Sequence, residues 1–240
     1  MNDRERGFLL LTSHLGDPER KVLTAAQLRA LALRVRERKP EAEGRELTEK
    51  DLTELDYSEE AARQIVTLLS QEPLLDDYLA RGEAWGCVPL TRVSPGYPLL
   101  LRQRLGLDSP GCLWAKGDLS ILNTPTLSLV GSRELREPNR AFARRVGELA
   151  AERGITLVSG NARGADREAQ DACRKAGGRV ISIVADSLDK YPGRNRLFLS
   201  EEDFDEPFSA QRALSRNRCI HALGTMVLVA QADLHKGGTW

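Results

Sequence analysis

Residues 155–166 read ITLVSGNARGAD and join a strand-like run to a helix through a glycine-rich turn. Ile155–Val158 is short and apolar, and the residues from Asp166 to Ala176 have helical spacing. Gly160 and Gly164 let the backbone turn tightly and approach a ligand closely. A strand that passes through such a turn into a helix is typical of a parallel sheet.

The same alternation continues on both sides of this stretch. Strands are predicted at Thr126–Val130, Arg179–Ala185 and Met226–Ala230, and helices at Asn139–Arg153 and Ala210–Leu223. The run at 179–185 is apolar almost throughout, as expected for a strand buried on both faces. The inward face of the helix at 139–153 is predicted to contain Phe142, Val146, Leu149 and Ala150. These patterns predict an extended Rossmann-like α/β domain, doubly wound around a mainly parallel sheet.

The chain before residue 85 has a helical pattern and carries no obvious chemistry. Helices are predicted to begin after the capping residues Thr24, Thr48 and Ser58, and another at Pro73. From Trp85 onward, prolines and glycines divide short apolar segments, which indicates strands and loops. We therefore expect a small all-α domain over 1–84, interpreted as a docking or dimerising module, and the Rossmann-like domain over 85–240.

Composition argues against several classes of protein. Hydrophobic residues make up 41% of the chain and charged residues 29%, with no run approaching the ~18 apolar residues of a membrane span. The first six residues, MNDRER, do not resemble a secretory signal. The four cysteines form no C-x-x-C pair and are expected to be reduced and packed in the core. We therefore expect a cytoplasmic protein that does not contact membranes.

The net charge of the chain is zero. Residues 1–126 carry a formal charge of −3 and residues 127–240 one of +3. A site for a polyanion must therefore come from local arrangement and not from the overall charge.

Ligands of open parallel sheets bind beyond the carboxyl ends of the strands, and the loops predicted there are rich in glycine, hydroxyl and basic residues. Glycines give access to a phosphate, and the positive end of a following helix attracts it. The candidates are Gly131, Ser132, Arg133, Ser159, Gly160, Arg163, Gly164, Arg194, Asn195 and Lys236. Four such loops that converge favour an anion-binding crevice over four simple turns.

Arg216 and Arg218 form a second basic cluster, within the helix predicted before the last strand. Two residues that are two positions apart on a helix do not share a face. One of these arginines is therefore expected to face the crevice and the other to brace a loop, and the sequence does not distinguish them.

The common catalytic and nucleotide-binding patterns do not occur. The chain has no G-x-G-x-x-G after the first of these strands, no G-x-x-x-x-G-K-[ST] and no G-x-S-x-G. His14, His221 and His235 lack metal-ligand spacing. We therefore expect no enzymatic activity, no cofactor and no metal.

An ordered set of motifs resembles the DNA-processing protein A family (DprA/Smf), across roughly residues 85–240. The motifs are Tyr97-Pro98, Gly131-Ser132-Arg133, Ser159-Gly160-x-Ala162-x-Gly164-x-Asp166, Tyr191-Pro192-x-x-Asn195 and Arg216-Asn217-Arg218-x-Ile220. The resemblance implies a non-catalytic protein, often a homodimer, that binds and protects single-stranded DNA. It also implies help in loading a RecA-type recombinase during DNA uptake and transformation. Arg133 and the second and third loops are the implied phosphate contacts, with roles for Ser159, Gly160, Gly164, Arg194 and Asn195.

The chain also departs from that family. Asn161 stands where a large apolar residue is usual, Ala165 where a branched one is, and Gln170 where a histidine is. The alternative is a nucleotide-sensing module of the wider superfamily, for example in defence signalling. A phosphoribohydrolase of the lonely-guy type ranks third, because the run from Lys236 to Thr239 only partly matches its motif and the accompanying glutamate is absent.

Overall fold

The computed structural model of the protein describes residues 1–38, 46–192 and 196–233, and within these ranges seven strands form one sheet. The strands are β1 (Cys87–Thr91), β2 (Cys112–Gly117), β3 (Thr126–Val130), β4 (Thr156–Ser159), β5 (Val180–Val184), β6 (Leu197–Ser200) and β7 (Met226–Val229). Their order is β1-β2-β6-β5-β4-β3-β7. Strands β3 to β7 pair in parallel, and β1 and β2 are antiparallel at one edge. This confirms the predicted α/β class with a mainly parallel sheet.

The helices are α1 (Asp3–Thr12), α2 (Ala25–Arg38), α3 (Glu49–Glu54), α4 (Glu59–Leu69), α5 (Glu72–Ala84), α6 (Leu99–Leu105), α7 (Glu137–Glu152), α8 (Ala165–Lys175), α9 (Ala210–Ser215) and α10 (Asn217–Leu223). The predicted capping residues act as expected. Ser58 accepts a hydrogen bond from the amide of Ala61, while Thr24 and Thr48 exchange reciprocal bonds with Gln27 and Asp51. The N-terminal helical pattern is therefore explained by local sequence.

Helices cover both faces of the sheet. Val130, Val158 and Ile181 pack in one apolar cluster with α10. Their chain neighbours Leu129, Leu157 and Val180 pack in another with α7 and α8. Because successive side chains of a strand point to opposite faces, the two clusters lie on opposite sides of the sheet. This is the doubly wound arrangement that the sequence predicts.

The inward face predicted for α7 was partly wrong. Phe142 is 43% exposed, whereas Ala143, Val146, Gly147 and Ala150 are buried. A Cβ atom at Gly147 would lie 2.9 Å from the amide nitrogen of Cys173 in α8. The two helices thus approach through small residues, and this rotates the large Phe142 ring away from the contact.

Three further elements differ from the sequence interpretation. The predicted helix at 210–223 is two helices that meet at Arg216, the C-cap of α9 and the N-cap of α10. Helix α1 and strand β6 were not predicted. Both are short, and α1 buries only the run Leu9–Leu11 within a charged segment.

The N-terminal helices have an apolar cluster of their own, which includes Leu28, Leu52 and Ile65. A second cluster is shared with the sheet, because α1 and α5 pack on β2, β6 and the chain that follows β6. At its centre the Tyr78 ring lies 5.6 Å from that of Trp114 and 4.6 Å from that of Phe204. A domain boundary between residues 84 and 85 remains a proposal.

All four cysteines are buried free thiols. Among the described residues, no helix has the length and apolar character needed to cross a membrane.

Candidate functional site

Two of the four predicted strand-end loops, those after β3 and β4, meet at the carboxyl ends of these strands. A Cβ atom at Gly164 would lie 2.6 Å from the Cα atom of Arg133, and one at Gly131 would lie 2.7 Å from the Cβ atom of Ala165. The amide of Ala165 donates a hydrogen bond to the carbonyl of Ser132 over 3.1 Å. These contacts hold the loop after β3 against the loop after β4, and we call the space that they border the crevice.

Gly164 makes this contact possible. Its φ is +85°, in the region that favours glycine, and a side chain there would overlap the backbone of Ser132 and Arg133. The glycine is therefore required by the close approach of two backbone segments, as the sequence predicts for a strand-to-helix turn.

Asp166 fixes the loop after β4. Its Oδ2 atom accepts hydrogen bonds from the amides of Gly160, at 3.1 Å, and Ala162, at 3.2 Å. Burial raises the pKa of this carboxyl group, while the positive charge of Arg216 and the hydrogen bonds to the carboxylate act in the opposite direction. Asp166 therefore stabilises the loop after β4 from its buried side.

These contacts correct one expectation about the loop. The sequence predicts that its amide groups and those of the following helix face a ligand. Instead, the amides of Gly160 and Ala162 donate to Asp166, that of Ala165 donates to Ser132, and that of Arg167 donates to Ala162. These four amides are engaged inside the protein and are not available to a ligand.

Arg216 is the buried cation of the crevice. It is only 7% exposed, and a Cβ atom at Gly160 would overlap its guanidinium group. Among the described residues, its Nε and Nη1 atoms have no hydrogen-bond partner. Burial lowers the pKa of Arg216, and the negative charge of Asp166 opposes that shift. A buried guanidinium with unpaired N–H groups is costly, and an anion that enters the crevice would pair them.

The other predicted basic residues occupy different positions. Arg133 is exposed and close enough to Arg216 to lower the pKa of Arg216 further. Arg163 is exposed and lies 3.2 Å from the carboxylate of Glu134, a rim ion pair of the kind that contributes little to stability. Arg218 lies outside the crevice, where it donates to the carbonyl of Asp108 and pairs with Glu201.

The structure therefore gathers Gly131, Ser132, Arg133, Ser159, Gly160, Gly164 and Arg216 around the crevice, with Arg163 at its rim. Of the two arginines that the sequence did not distinguish, Arg216 faces the crevice and Arg218 braces a loop. Arg194, Asn195 and Lys236 lie outside the described residues.

One organising residue was missed. Gln231, which is buried just after β7, accepts hydrogen bonds from the amide of Arg136 at 3.0 Å and from Asn139 at 2.9 Å. Its Nε2 atom donates to the carbonyl of Glu134, and its own carbonyl accepts from the amide of Ser132. A polar residue at the end of an apolar strand was the available signal.

The sequence profile of the family described as DNA recombination-mediator protein A matches residues 89–240. The chain belongs to this family. This confirms the resemblance noted from the motifs. Protein Smf of Escherichia coli is 34% identical over 54% of this chain and 38% of its own length. DNA processing protein DprA of Streptococcus pneumoniae is 31% identical over 54% of this chain and 50% of its own length. The chain thus spans about half or less of these two family members.

Two solved structures extend the comparison. DNA processing protein A from S. pneumoniae superposes with a TM-score of 0.74 over 99% of this chain and 81% of that one, at 24% identity, and shows the shared fold. DNA processing protein A from Helicobacter pylori has a TM-score of 0.54 and 28% identity over 64% of this chain and 72% of that one. That structure is described as showing a single-stranded DNA binding mode.

The positions where this chain departs from the family pattern are accommodated locally. Asn161 has a φ of +58°, and asparagine tolerates this left-handed conformation better than most residues. Gln170 is buried in α8, and its Oε1 atom accepts a hydrogen bond from Ser182 over 3.2 Å. The Nε2 atom of Gln170 has no hydrogen-bond partner among the described residues, so this position is only partly accommodated.

Proposed function

We propose that this chain binds single-stranded DNA by its phosphates in the crevice and catalyses no reaction. The observation that carries the proposal is Arg216, whose buried guanidinium has two nitrogen atoms without a partner among the described residues. Phosphate oxygens are the natural acceptors for a guanidinium group. Family membership and the DNA-binding mode described for the H. pylori relative support the same ligand.

The surrounding residues fit a phosphate that reaches Arg216 from solvent. Gly160 lets the guanidinium group lie directly against the backbone of the loop after β4, and the exposed Arg133 adds a second positive charge nearby. The proposed contact set is Gly131, Ser132, Arg133, Ser159, Gly160, Arg163, Gly164 and Arg216, together with Arg194, Asn195 and Lys236 from the sequence. Such contacts neutralise phosphates without reading bases, so sequence preference from the crevice itself should be small.

The crevice does not favour catalysis. Asp166 is its buried carboxylate, and one of its two oxygens already accepts two backbone amides. We therefore propose a protective and mediating role: the chain shields the strand and assists a RecA-type recombinase to load during DNA uptake. The homodimer, the recombinase partner and a place in the cytoplasm belong to this proposal through the family.

Fluorescence anisotropy with labelled oligothymidylates of increasing length, at several salt concentrations, tests DNA binding. Affinity should rise with length up to roughly 4–16 nucleotides. It should fall with salt at a log–log slope of about −0.7 for each phosphate neutralised. Binding that saturates with a mononucleotide or dinucleotide and ignores added length would replace this proposal with the nucleotide-sensing alternative.

A further inference from the structure

Arg167, in the first turn of α8, is an exposed cation outside the proposed contact set. It directly follows Asp166, the buried carboxylate that fixes the loop after β4. Within the described part of the chain, the side chain of Arg167 forms no hydrogen bond or ion pair. Exposed charged side chains are common on helices, so the surroundings of Arg167 decide whether it has a function.

The carboxylates nearest to Arg167 in the chain and in the fold are engaged by other groups. Glu134, on the loop after β3, lies 3.2 Å from Arg163. Glu168 pairs with two arginines of α7, and Asp171 pairs within α8 with the arginine three residues later. These three carboxylates therefore already have cationic partners, and the charge of Arg167 is left for a ligand.

Two other arginines share this condition at the carboxyl edge, by which we mean the edge of the sheet at the carboxyl ends of β3, β4 and β5. Arg133 has no partner among the described residues, and Arg216 has two unpaired nitrogen atoms. By contrast, Arg163 and Lys190 at the same edge are paired with acidic neighbours. Unpaired cations that are grouped at one edge produce a local positive field, which attracts a polyanion although the chain has no net charge.

The backbone places Arg167 next to the crevice. Gly164 is the N-cap of α8, and a Cβ atom there would lie 2.6 Å from the Cα atom of Arg133. The amide of Arg167 donates to the carbonyl of Ala162 over 3.2 Å, which fixes the first turn of α8 to the loop after β4. The Cα atom of Arg167 therefore lies within about one helical turn, roughly 5 Å, of the border of the crevice. Side chains of a helix lean toward its N-terminus, and α8 begins at the carboxyl edge.

Arg216 and Arg167 belong to helices on opposite faces of the sheet. Arg216 is the N-cap of α10, which packs on one face, and α8 packs on the other. Arg133 is at the exposed mouth of the crevice, against the loop that leads into α8. A strand that contacts Arg216 and Arg167 must therefore cross the carboxyl edge from the α10 side to the α8 side.

We propose that Arg167 contacts a phosphate beyond those held in the crevice, so that the bound strand crosses the carboxyl edge and continues over the first turn of α8. The inference rests on the proposed function, because it specifies the course of the same single strand. The contact joins an exposed guanidinium to a phosphate oxygen, so it releases a counterion and has no base preference. A ligand no longer than the crevice does not reach Arg167.

Anisotropy titrations of the full chain and of Arg167→Ala, with oligothymidylates of four, eight and twelve nucleotides, test the course of the strand. Arg167→Ala should bind the tetranucleotide as the parent does, because the crevice alone holds it. Its affinity for the dodecanucleotide should fall about twofold to fivefold at low salt, the range of one exposed ion pair. The log–log salt slope for the dodecanucleotide should become shallower by about 0.7, the value for one phosphate.

Two further variants separate a phosphate contact from other effects of the substitution. Lys175→Ala removes an exposed cation without a partner in the described chain, at the other end of α8 and about 12 Å along its axis. It should leave affinity and salt slope unchanged at all three lengths. Arg167→Lys keeps the positive charge and should keep the salt slope of the parent. An equal loss in Lys175→Ala would assign the effect to overall charge and overturn the proposal.

The length series also distinguishes failure of this inference from failure of the proposed function. If the parent binds and Arg167→Ala matches it at every length, the strand does not pass over α8, while DNA binding stands. A loss that is equal at all three lengths would place Arg167 within the crevice and would overturn the proposed course as well. If the parent binds none of the oligonucleotides, the proposed function fails and this inference fails with it.

Discussion

Two arginines in this protein are equally buried and differ in what surrounds them. Arg20, between α1 and α2, and Arg216, at the α9–α10 joint, are each 7% exposed, and burial lowers the pKa of both. Arg20 donates to the carbonyl groups of Leu10 and Ser13 and to the side chain of Gln71. Arg216 has two nitrogen atoms with no partner in the described chain.

The difference separates a structural residue from a binding one. A buried guanidinium whose donors are paired holds segments of the chain together, and its hydrogen bonds stabilise the folded state. A buried guanidinium whose donors are unpaired reduces stability until an anion arrives. Burial alone does not distinguish the two arginines. The assignment of Arg20 as structural and Arg216 as ligand-binding therefore depends on their hydrogen-bond partners.

The largest expected effect is on stability, from Arg20→Ala. Removing the side chain leaves the buried carbonyls of Leu10 and Ser13 without their donors, so the free energy of unfolding should fall by about 3 kcal/mol. Urea denaturation, monitored by circular dichroism, measures this fall in the free energy of unfolding. Arg29→Ala is the control, because Arg29 forms an exposed ion pair with Asp108, worth below about 1 kcal/mol. Equal losses in the two variants would contradict the structural role of Arg20.

Arg216→Ala should have its main effect on DNA binding. One charge-assisted hydrogen bond contributes about 1.5–3 kcal/mol, which corresponds to a loss of roughly tenfold to a hundredfold in affinity for single-stranded oligonucleotides. Anisotropy titration measures the loss, and Arg174→Ala, at the far end of α8, serves as a charge-matched control. Stability should fall less than in Arg20→Ala. Parent-like affinity in a folded Arg216→Ala protein would remove the central support for the proposed function.

Gly160→Ala tests the same guanidinium without deleting it. The added methyl group overlaps the observed position of the Arg216 side chain, which must then move. We expect affinity to fall about tenfold, the equivalent of roughly 1.4 kcal/mol. The double variant with Arg216→Ala should lose little more than Arg216→Ala alone, since the two changes act on one group. Gly96→Ala, where a Cβ atom would lie 3.7 Å from its nearest neighbour, is the control. Fully additive losses would show that Gly160 acts independently of Arg216.

The smallest effect is expected from Arg133→Ala, at the exposed mouth of the crevice. Affinity should fall a few-fold for all sequences alike, and the log–log salt slope should become shallower by about 0.7, the value for one phosphate contact. Anisotropy at three or more salt concentrations measures both quantities. An unchanged slope would place Arg133 outside the DNA contact.

Much of the parallel sheet could be predicted because its signals are local. Strand β3 occupies the predicted Thr126–Val130, and β5 is buried at every position, as its continuous apolar run indicates. Strand β6 was missed because no α-helix lies between it and β5, so the strand–helix alternation that indicates β4 and β7 does not extend to it. The buried face of α7 was mispredicted at Phe142 because side-chain size favoured a large residue where the packing between α7 and α8 requires small ones.

The residues of the candidate site also fall into those that local sequence predicts and those that it does not. Its glycines, its serines and Arg133 could be proposed because they follow strands in sequence, and Arg216 because it belongs to a basic cluster. The choice between Arg216 and Arg218 could not be made, since it depends on a helix break and on the ion pair of Arg218 with Glu201. The role of Gln231 is set by contacts with the distant loop after β3, and a single sequence does not reveal such contacts. Asp166 acts on the loop just before its own helix, but its burial depends on how the fold packs.

The joint at Arg216 has a consequence for energetics. One short turn carries the crevice cation, Arg216, and two residues later Arg218, which pairs with Glu201 after β6. A displacement of this turn when an anion binds is therefore also felt by that ion pair. If loss of the ion pair changes the affinity for the anion by some factor, thermodynamic linkage requires the bound anion to change the stability of the ion pair by the same factor. Measured from either side, the coupling free energy must be equal.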